Sequence, residues 1–414
     1  MKNAISAGRL IQEGATESGP AGIDIARMRA YRYARLQQQL RDHDCAAALL
    51  NDPVNIRYAT DTRNMSVWLL HNPGRYCLVP AEGRAVLFDY PNNNCLGIPL
   101  DIPEVSDVRL ATSYGFQFVA EHAGPVCRQW ATELRALVAQ LMGRDATRLA
   151  IDRADLEGAD ALRAEGFTLV EGQRLLELAR SIKSPDEIAC MRRSLEVCDI
   201  GMSRMREALR PGISENALWA ELHHTNIAHG GEWIETRLLS SGPRTNPWLQ
   251  ESSDRRIEAG DIVSFDTDMV GPYGYCSDVS RAFLCGDGPA TNRQKTLYAL
   301  AVEQVEHNCA LLRPGLTFRD YTAKSWPIPA RFHLQNYGCV AHGVGLIDEW
   351  PGIAVDRDDP LLMDGVFAPG MTLCVESYIG EVGGPDGIKI EQQALITDTG
   401  HEILSQFPLE PKLL

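Results

Sequence analysis

Several signatures that would assign a function at sight are missing from this chain of 414 residues. Its eleven cysteines include no CxxC pair, which excludes the zinc ribbons and thioredoxin-like redox sites that use this spacing. It contains neither a GxGxxG fingerprint nor a Walker-type loop, so no nicotinamide or nucleotide cofactor is implied. Its longest apolar runs, such as residues 45–50, are far too short to cross a bilayer, and we expect no membrane partner.

Positive charge is also scarce. Lys and Arg number 40 against 55 Asp and Glu, a formal net charge of −15, which argues against nucleic acid as a partner. The first residues lack the apolar core of a secretion signal, and the dispersed cysteines are typical of reduced thiols. We therefore expect a cytoplasmic protein.

The composition that remains is that of a globular protein, with 44% hydrophobic residues and enough length for two or three domains. Strands alternate with helices in the first part of the chain, which predicts an α/β fold there. We predict an N-terminal arm over 1–23, an α/β domain over 24–180 and a second domain over 181–414.

Two helices near the starts of these domains are marked by their sequences. The first is expected from residue 23 to about 40, with Arg29 and Arg32 among the candidates for its solvent face. The second begins at Ser184-Pro185-Asp186-Glu187, where a capping serine is followed by proline and by acids that suit the positive end of the helix dipole.

A group of acidic residues carries the strongest chemical signal. Asp266 and Asp268 are two apart on a predicted strand and therefore share a face, and the chain turns through 271–274 toward Asp278 on the expected antiparallel partner. Three carboxylates at close range repel one another, and a divalent cation is the simplest remedy. Taken alone, this hairpin could also be an ordinary solvated acidic strand pair.

Three more candidate ligands follow downstream. His342 stands among small residues in VAHGVG, Glu376 ends the apolar run LCVE, and Glu391 lies in GIKIE. Each is unremarkable alone, since a single histidine is more often structural than a ligand. Oxygen ligands with one imidazole in this order suit a pair of first-row divalent ions.

The ordered set and its flanks resemble the pita-bread metalloenzymes, which include creatinase, methionine aminopeptidase, proline dipeptidase and aminopeptidase P. The resemblance extends from about residue 31 to 395 and includes the segments SIKSPDEIACMR and NDPVNIRYATD. It implies an α/β (α+β) chain with a creatinase-like N-terminal domain and a C-terminal pita-bread domain. It also implies a homodimer in which the partner's N-terminal domain helps to cover the active site.

The chain departs from the peptidase pattern at two positions. Where peptidases carry a histidine after a Ser-Gly-x-x-x-Asn stretch, this chain has Trp248 and Leu249 in LLSSGPRTNPWLQE. Where they carry the second histidine of HGxGxxxH, counting places Glu349. Losing both imidazoles removes the proton donors that peptide hydrolysis would use, so a prolidase is disfavoured. Creatinase is disfavoured because it does not depend on a metal cluster.

Three segments, FDTD, GGEWIETRLLSSGPRTNPWLQE and NYGCVAHGVGLIDEWP, are similar to the metallopeptidase-like dimethylsulfoniopropionate (DMSP) lyases of the DddP type. The resemblance implies β-elimination of dimethyl sulfide from DMSP, with one or two divalent ions as cofactor, iron first and zinc, manganese or cobalt as alternatives. It implies the metal ligands Asp266, Asp268, Asp278, His342, Glu376 and Glu391.

The same resemblance implies that Asp348 is the general base and that Tyr337 lines the pocket or assists proton transfer. Tyr337, Trp248 and Trp350 are candidates for contact with the sulfonium, although ordinary packing explains each tryptophan equally well. Two other classes of function stay open at this point, an Xaa-Pro dipeptidase-like hydrolase of the same fold and a binding protein without catalysis. His223 and His224 are expected to pack or to be exposed, and His333 could reach the site.

Overall fold

The computed structural model describes residues 22–72, 74–90, 102–356 and 364–414. The arm expected over 1–23 therefore lies almost wholly outside the described residues. Backbone contacts divide the chain into two compact units, one ending at Arg180 and the other beginning at Ser181. No helix among the described residues has both the length and the apolar character needed to cross a membrane.

The first unit is built on a six-stranded mixed sheet in the order β4-β3-β2-β1-β5-β6. β1 is parallel to β5 and antiparallel to β2, and helices pack over the sheet. Its strands are β1 Ala47–Leu50, β2 Tyr76–Pro80, β3 Ala85–Asp89, β4 Val105–Leu110, β5 Arg148–Ile151 and β6 Thr168–Glu171. Its helices are α1 Ile25–Asp42, α2 Pro53–Thr60, α3 Ser66–Leu69, α4 Phe116–Val119, α5 Ala123–Met142, α6 Leu156–Ala164 and α7 Gln173–Arg180.

The structure corrects the expectation that Arg29 and Arg32 lie on the solvent face of α1. Arg32 is fully buried, and its guanidinium donates to Asp61 Oδ1 at 2.8 Å. Arg29 is half-buried and donates to the other oxygen of the same carboxylate at 3.0 Å. Asp61 ends α2, so a carboxylate far along the chain stabilises two charges inside the unit. Helical periodicity places the arginines on one face but does not show which element covers that face.

The second unit contains two small three-stranded sheets and a five-stranded antiparallel sheet in the order β14-β13-β15-β16-β17. Its helices are α8 Pro185–Ala208, α9 Glu215–Ala228, α10 Asn292–Leu311 and α11 Phe318–Lys324. Its strands are β7 Trp233–Ile234, β8 Leu239–Ser241, β9 Ile262–Phe265, β10 Met269–Val270, β11 Cys276–Ser277, β12 Arg281–Leu284, β13 Cys339–Val344, β14 Asp348–Ala354, β15 Thr372–Gly380, β16 Gly387–Ile396 and β17 His401–Ile403.

The predicted start of α8 is confirmed. The Ser184 hydroxyl accepts from the backbone of Glu187, and the Glu187 carboxylate accepts from the backbone of Ser184, so the two residues form a complete capping box. This pairing satisfies backbone donors that no helical carbonyl can reach and fixes where the second unit's first helix begins.

Candidate active site

The predicted ligands come from the ends and faces of strands in the second unit. Glu376 on β15 and Glu391 on β16 are direct cross-strand partners, so their side chains share one face of the sheet. His342 on β13 lies opposite Cys374 on β15, two residues before Glu376. The antiparallel register therefore brings together three residues that are far apart in the sequence.

The aspartates reach this face from breaks between strands, which differs from the hairpin expected from sequence. β9 ends at Phe265 and β10 begins at Met269, so Asp266 and Asp268 lie in the connection between two sheets. Asp268 has a φ of 34°, in the left-handed region that favours glycine. Asp278 lies in the matching break between β11 and β12. Leaving the strands lets both segments turn their carboxylates toward the same point.

All six predicted ligands meet in one buried cluster. His342 Nε2 lies 3.2 Å from Glu376 Oε1, 3.3 Å from Asp278 Oδ2 and 3.8 Å from Glu391 Oε1. Two groups of side chains have ligand atoms that all lie within 4.8 Å of one another, and Asp278 belongs to both. The groups are Asp278, His342, Cys374 and Glu391, and Asp266, Asp268 and Asp278.

Lys389 is a charged member of this cluster that the sequence analysis missed. Its buried ammonium lies 2.5 Å from Glu376 Oε2, 3.0 Å from Asp266 Oδ2 and 3.4 Å from Glu391 Oε2. It also donates to the Ser280 hydroxyl, and that hydroxyl bonds Asp266 and Glu391 in turn. Its position two residues before Glu391 on the same strand was the available signal, since residues i and i+2 share a face.

Burial and mutual repulsion control the protonation of these carboxylates. Burial, reinforced by Glu391 and Asp268, raises the pKa of Asp278 well above its usual range. Burial and the charge of Asp266 raise the pKa of Asp268 to about 8. Burial opposes ionisation of Asp266 as well, but the charge of Lys389 and hydrogen bonds from neighbouring side chains, Ser280 among them, together lower the pKa of Asp266 to about 2. One lysine therefore does not neutralise the whole cluster, and the raised pKa of Asp268 keeps that acid largely protonated near neutral pH.

The donor set fits a divalent metal ion. Asp278 Oδ1 and Glu391 Oε1 are buried and accept no hydrogen bond from any described residue. Such acceptors are costly unless a partner satisfies them, and a cation bound among carboxylates and an imidazole would do so. Oxygen ligands with one histidine suit the first-row divalent ions, so the residues present fit the group that the sequence implied.

Asp348 lies at the edge of this cluster and is more open than the ligands. Its Oδ1 is 3.8 Å from His342 Nδ1, and 58% of its side chain is exposed. Desolvation raises the pKa of Asp348; His342 opposes the rise and the charge of Asp266 adds to it. A carboxylate with a raised pKa beside the ligands, yet accessible from outside, has the properties of a general base.

The aromatic candidates lie in two places. Lys389 Nζ lies 4.8 Å from the ring centre of Tyr337 and 5.9 Å from that of Trp248, so both rings border the cluster. Trp248 also stacks on Tyr378 with ring centres 6.1 Å apart. Trp350 instead contacts the ring of Phe318, with centres 5.4 Å apart, at the margin of the core.

The other three candidate histidines, His223, His224 and His333, are exposed, as expected for His223 and His224. Both are exposed on α9, and His223 contacts the ring of Trp219 edge-on. His333 is exposed as well, and its Nε2 bonds the carbonyl of Ile328 at 2.6 Å. This local backbone contact gives His333 a structural partner outside the carboxylate cluster.

The raised pKa values predict that the metal-free protein becomes less stable as pH rises from about 5 to about 8. Asp268 and Asp278 keep protons in the folded state that the unfolded chain has already released, so each rise in pH favours unfolding. Asp266 is ionised in both states across this window and adds no slope. Melting temperatures of the metal-free protein, measured across this window, should fall, and added Co²⁺ should remove most of the fall.

Asp152 of the first unit supplies the control for this measurement. Burial raises the pKa of Asp152 to about 7, so this residue also makes the protein less stable as pH rises, and metal does not affect its contribution. In the Asp152→Asn variant, the part of the decline that Co²⁺ removes reports the cluster, because Asp199, whose pKa burial raises to about 6, contributes equally with and without metal. An equal decline with and without Co²⁺ in that variant would contradict the link between these acids and a metal site.

Comparison with known proteins gives two family matches and a series of sequence relatives, which include two lyases. Models of metallopeptidase family M24 and of the creatinase/prolidase N-terminal domain match residues 189–398 and 32–182. A dimethylsulfoniopropionate lyase DddP of Roseovarius nubinhibens is 43% identical over 96% of this chain and 90% of its own length. The corresponding DddP of Roseobacter denitrificans is 41% identical over 94% of this chain and 88% of its own.

A solved structure supports the fold independently. An Xaa-Pro dipeptidase from Bacillus anthracis superimposes with a TM-score of 0.71, covering 92% of this chain and 98% of that one. The two share 22% sequence identity, so this likeness concerns the fold alone.

Proposed function

The chain belongs to metallopeptidase family M24, and from that premise we propose that it is a metal-dependent carbon–sulfur lyase that cleaves DMSP to dimethyl sulfide and acrylate. The family models confirm the predicted fold, a creatinase-like N-terminal domain followed by a pita-bread domain. Two relatives that are named DMSP lyases match nearly the whole chain at over 40% identity, and this match supports DMSP as the substrate.

The observation that carries this proposal is the carboxylate of Asp348 beside His342. Peptidases of this fold carry a second imidazole shortly after the ligand histidine. In this chain Glu349 occupies that position and pairs with Lys183, and the side chain that lies beside His342 is the neighbouring acid, Asp348. An imidazolium can donate a proton to a tetrahedral intermediate, whereas an ionised carboxylate accepts one. Proton removal from carbon therefore suits this site better than peptide hydrolysis, and the hydrolase alternative is the weaker one.

Asp266, Asp268, Asp278, His342, Glu376 and Glu391 would hold the metal, as one or two ions with iron as the first expectation. A bound divalent ion would supply a positive charge that favours electron density on the substrate's carboxylate. The residues around it determine how the substrate lies and where its proton goes.

The charges of the site predict the orientation of the substrate. DMSP is a zwitterion, and Lys389 is a buried cation facing the rings of Tyr337 and Trp248. Lys389 alone does not neutralise the carboxylates around it. With a divalent ion also bound there, the combined positive charge would repel the sulfonium and attract the carboxylate, so the carboxylate is expected on the Lys389 side. The sulfonium then lies toward the open side, where the outer parts of the Tyr337 and Trp248 rings can contact it.

Asp348 then takes the proton of the α-carbon. The electron pair of the broken C–H bond forms the carbon–carbon double bond of acrylate, and the C–S bond breaks with its pair on sulfur, which leaves as neutral dimethyl sulfide. The raised pKa of Asp348 makes it a stronger base than an ordinary aspartate. Tyr337 would line the pocket and Trp350 would support it.

The test is headspace gas chromatography of metal-loaded protein with DMSP, with acrylate measured in the same samples by liquid chromatography. We expect equal amounts of the two products, loss of both after the metal is removed by a chelator, and recovery on reloading. A well-folded, metal-loaded protein that released no dimethyl sulfide would contradict the lyase. A parallel assay with Xaa-Pro dipeptides and ninhydrin would then measure the hydrolase alternative.

The other implied properties are part of the same proposal. We propose a homodimer, a cytoplasmic location and a domain boundary at residue 180. Light scattering of the purified protein measures the first, and folding of a fragment over residues 181–414 tests the last.

A further inference from the structure

A buried ion pair lies directly behind the residue proposed as the base. Lys183 Nζ lies 2.8 Å from Glu349 Oε2, and the two side chains are 2% and 1% exposed. Glu349 is the position that counting along the sequence placed where peptidases have their second histidine. Its side chain points into the unit rather than toward the cluster, while its neighbour Asp348 lies beside His342. We propose that Lys183 and Glu349 are positioning residues that hold Asp348 at the site, an inference that rests on the proposed function.

Glu349 also closes the turn that leads from β13 into β14. Its second oxygen, Oε1, accepts from the backbone of Leu346 at 3.0 Å. Its carboxylate packs on Gly345, where a Cβ atom would lie 2.5 Å from both oxygens, so any other residue there would displace the carboxylate. One carboxylate thus uses one oxygen to close the turn and the other to bind Lys183.

Lys183 is itself fixed to the strand that carries Glu376. Its backbone donates to the carbonyl of Gly370 at 2.9 Å, and β15 begins two residues later at Thr372. The ion pair therefore ties the turn before β14 to the strand of a metal ligand. A shift of either partner would move Asp348 relative to the ligands.

Asp348 depends on the Lys183–Glu349 pair because its own side-chain contacts hold it only loosely. More than half of its side chain is exposed, and its contact with His342 spans 3.8 Å. Adjacent residues of a strand point to opposite faces, so the fixed inward position of Glu349 sets the outward direction of Asp348. A base must be held close to the proton that it removes, and a displacement of about 1 Å can cost about 100-fold in rate.

The test compares Glu349→Gln and Lys183→Met with the wild type. Glutamine keeps an acceptor for Leu346 and removes the charge that pairs with Lys183, whereas methionine removes the cation and keeps the turn contact. We expect both variants to lower kcat for dimethyl sulfide release about 10- to 100-fold, with KM and metal content unchanged. In crystals of Glu349→Gln, Asp348 Oδ1 should no longer lie at 3.8 Å from His342 Nδ1.

Glu410→Gln is the matched control. Glu410 is likewise buried, with one oxygen 3.2 Å from Arg206 Nη2 and the other accepting from the backbone of Lys412. It should lose thermal stability without losing kcat. If Glu349→Gln behaved in the same way, with kcat within about twofold of the wild type, the pair would be structural only and the inference would be wrong.

The crystal distance decides the inference even if the proposed function fails. If the wild type did not cleave DMSP, the lyase would be wrong, but a displaced Asp348 in Glu349→Gln would still support positioning. An unmoved Asp348 in that variant would overturn the inference whatever the activity.

Discussion

Replacing Asp348 with asparagine is expected to lower dimethyl sulfide release by about 100- to 10,000-fold, the range that general bases contribute. Asparagine has nearly the same shape, so the pocket and the strand β14 remain, but the amide cannot take a proton from carbon. Asp348 lies at the edge of the cluster with its nearest charged neighbour, His342, at 3.8 Å. Removing it should therefore leave the metal content unchanged, which elemental analysis of the purified variant measures.

Asp287→Asn is the control for this experiment, because Asp287 is an exposed carboxylate in the loop between β12 and α10. It should retain the wild-type rate. If Asp348→Asn kept a rate within about tenfold of the wild type, another group would be the base and the role of Asp348 would be wrong. If Asp348→Asn lost its metal as well, Asp348 would be acting as a ligand.

Replacing Asp278 with alanine is expected to remove metal and activity together. Asp278 belongs to both groups of candidate ligands, and its Oδ1 is buried with no hydrogen-bond donor among the described residues. Loss of a residue that only supports a ligand costs about 10- to 100-fold in metal affinity, and loss of a direct ligand shared by both groups should cost at least as much. Calorimetric titration with Co²⁺ and metal analysis of the purified protein give the two measurements.

The same substitution has an opposite effect on the metal-free protein. Asp278 is buried and is crowded by Glu391, Asp268 and Asp266; burial first, and then these charges, raise its pKa and make its ionised form costly. Removing it should raise the melting temperature of the metal-free protein at pH 8, while the increase caused by Co²⁺ disappears. Replacing a residue that is needed only for packing would lower the melting temperature both with and without metal.

Asp199 provides a matched acid outside the cluster. It is a partly buried carboxylate on α8, and burial raises its pKa to about 6. Asp199→Ala should keep the wild-type metal content and the wild-type response to Co²⁺. Equal metal loss in Asp199→Ala and Asp278→Ala would contradict the ligand assignment.

Much of the fold could be predicted from sequence because local signals are strong at the element ends. The capping box at Ser184 and Glu187 marks a helix start through bonds between neighbouring residues. The alternating elements of the first 180 residues indicate an α/β unit for the same reason. The face of α1 was predicted wrongly at Arg32, since its partner Asp61 lies 29 residues away on another helix.

In the candidate site, too, some features could be predicted from sequence and others could not. Asp268 was expected on a strand but lies in a break with a left-handed φ, because the chain there passes from one sheet to another. Lys389 was overlooked although it lies two residues from Glu391. No role can be assigned to a lysine in an apolar strand until the carboxylates that face it are known. Counting along the sequence placed Glu349 where peptidases have their second histidine, but its side chain forms an ion pair with Lys183 and points inward.

The sequence by itself determined which residues are proposed as ligands and their order, the helix starts and the family, because these depend on which residues are present and on their near neighbours. Only the tertiary structure decided that the six proposed ligands and Lys389 share one buried space, and that Asp348 rather than Glu349 faces it. The physical reason is that strand register and sheet packing bring residues together across more than a hundred positions. Burial then sets their charges, which no local pattern records.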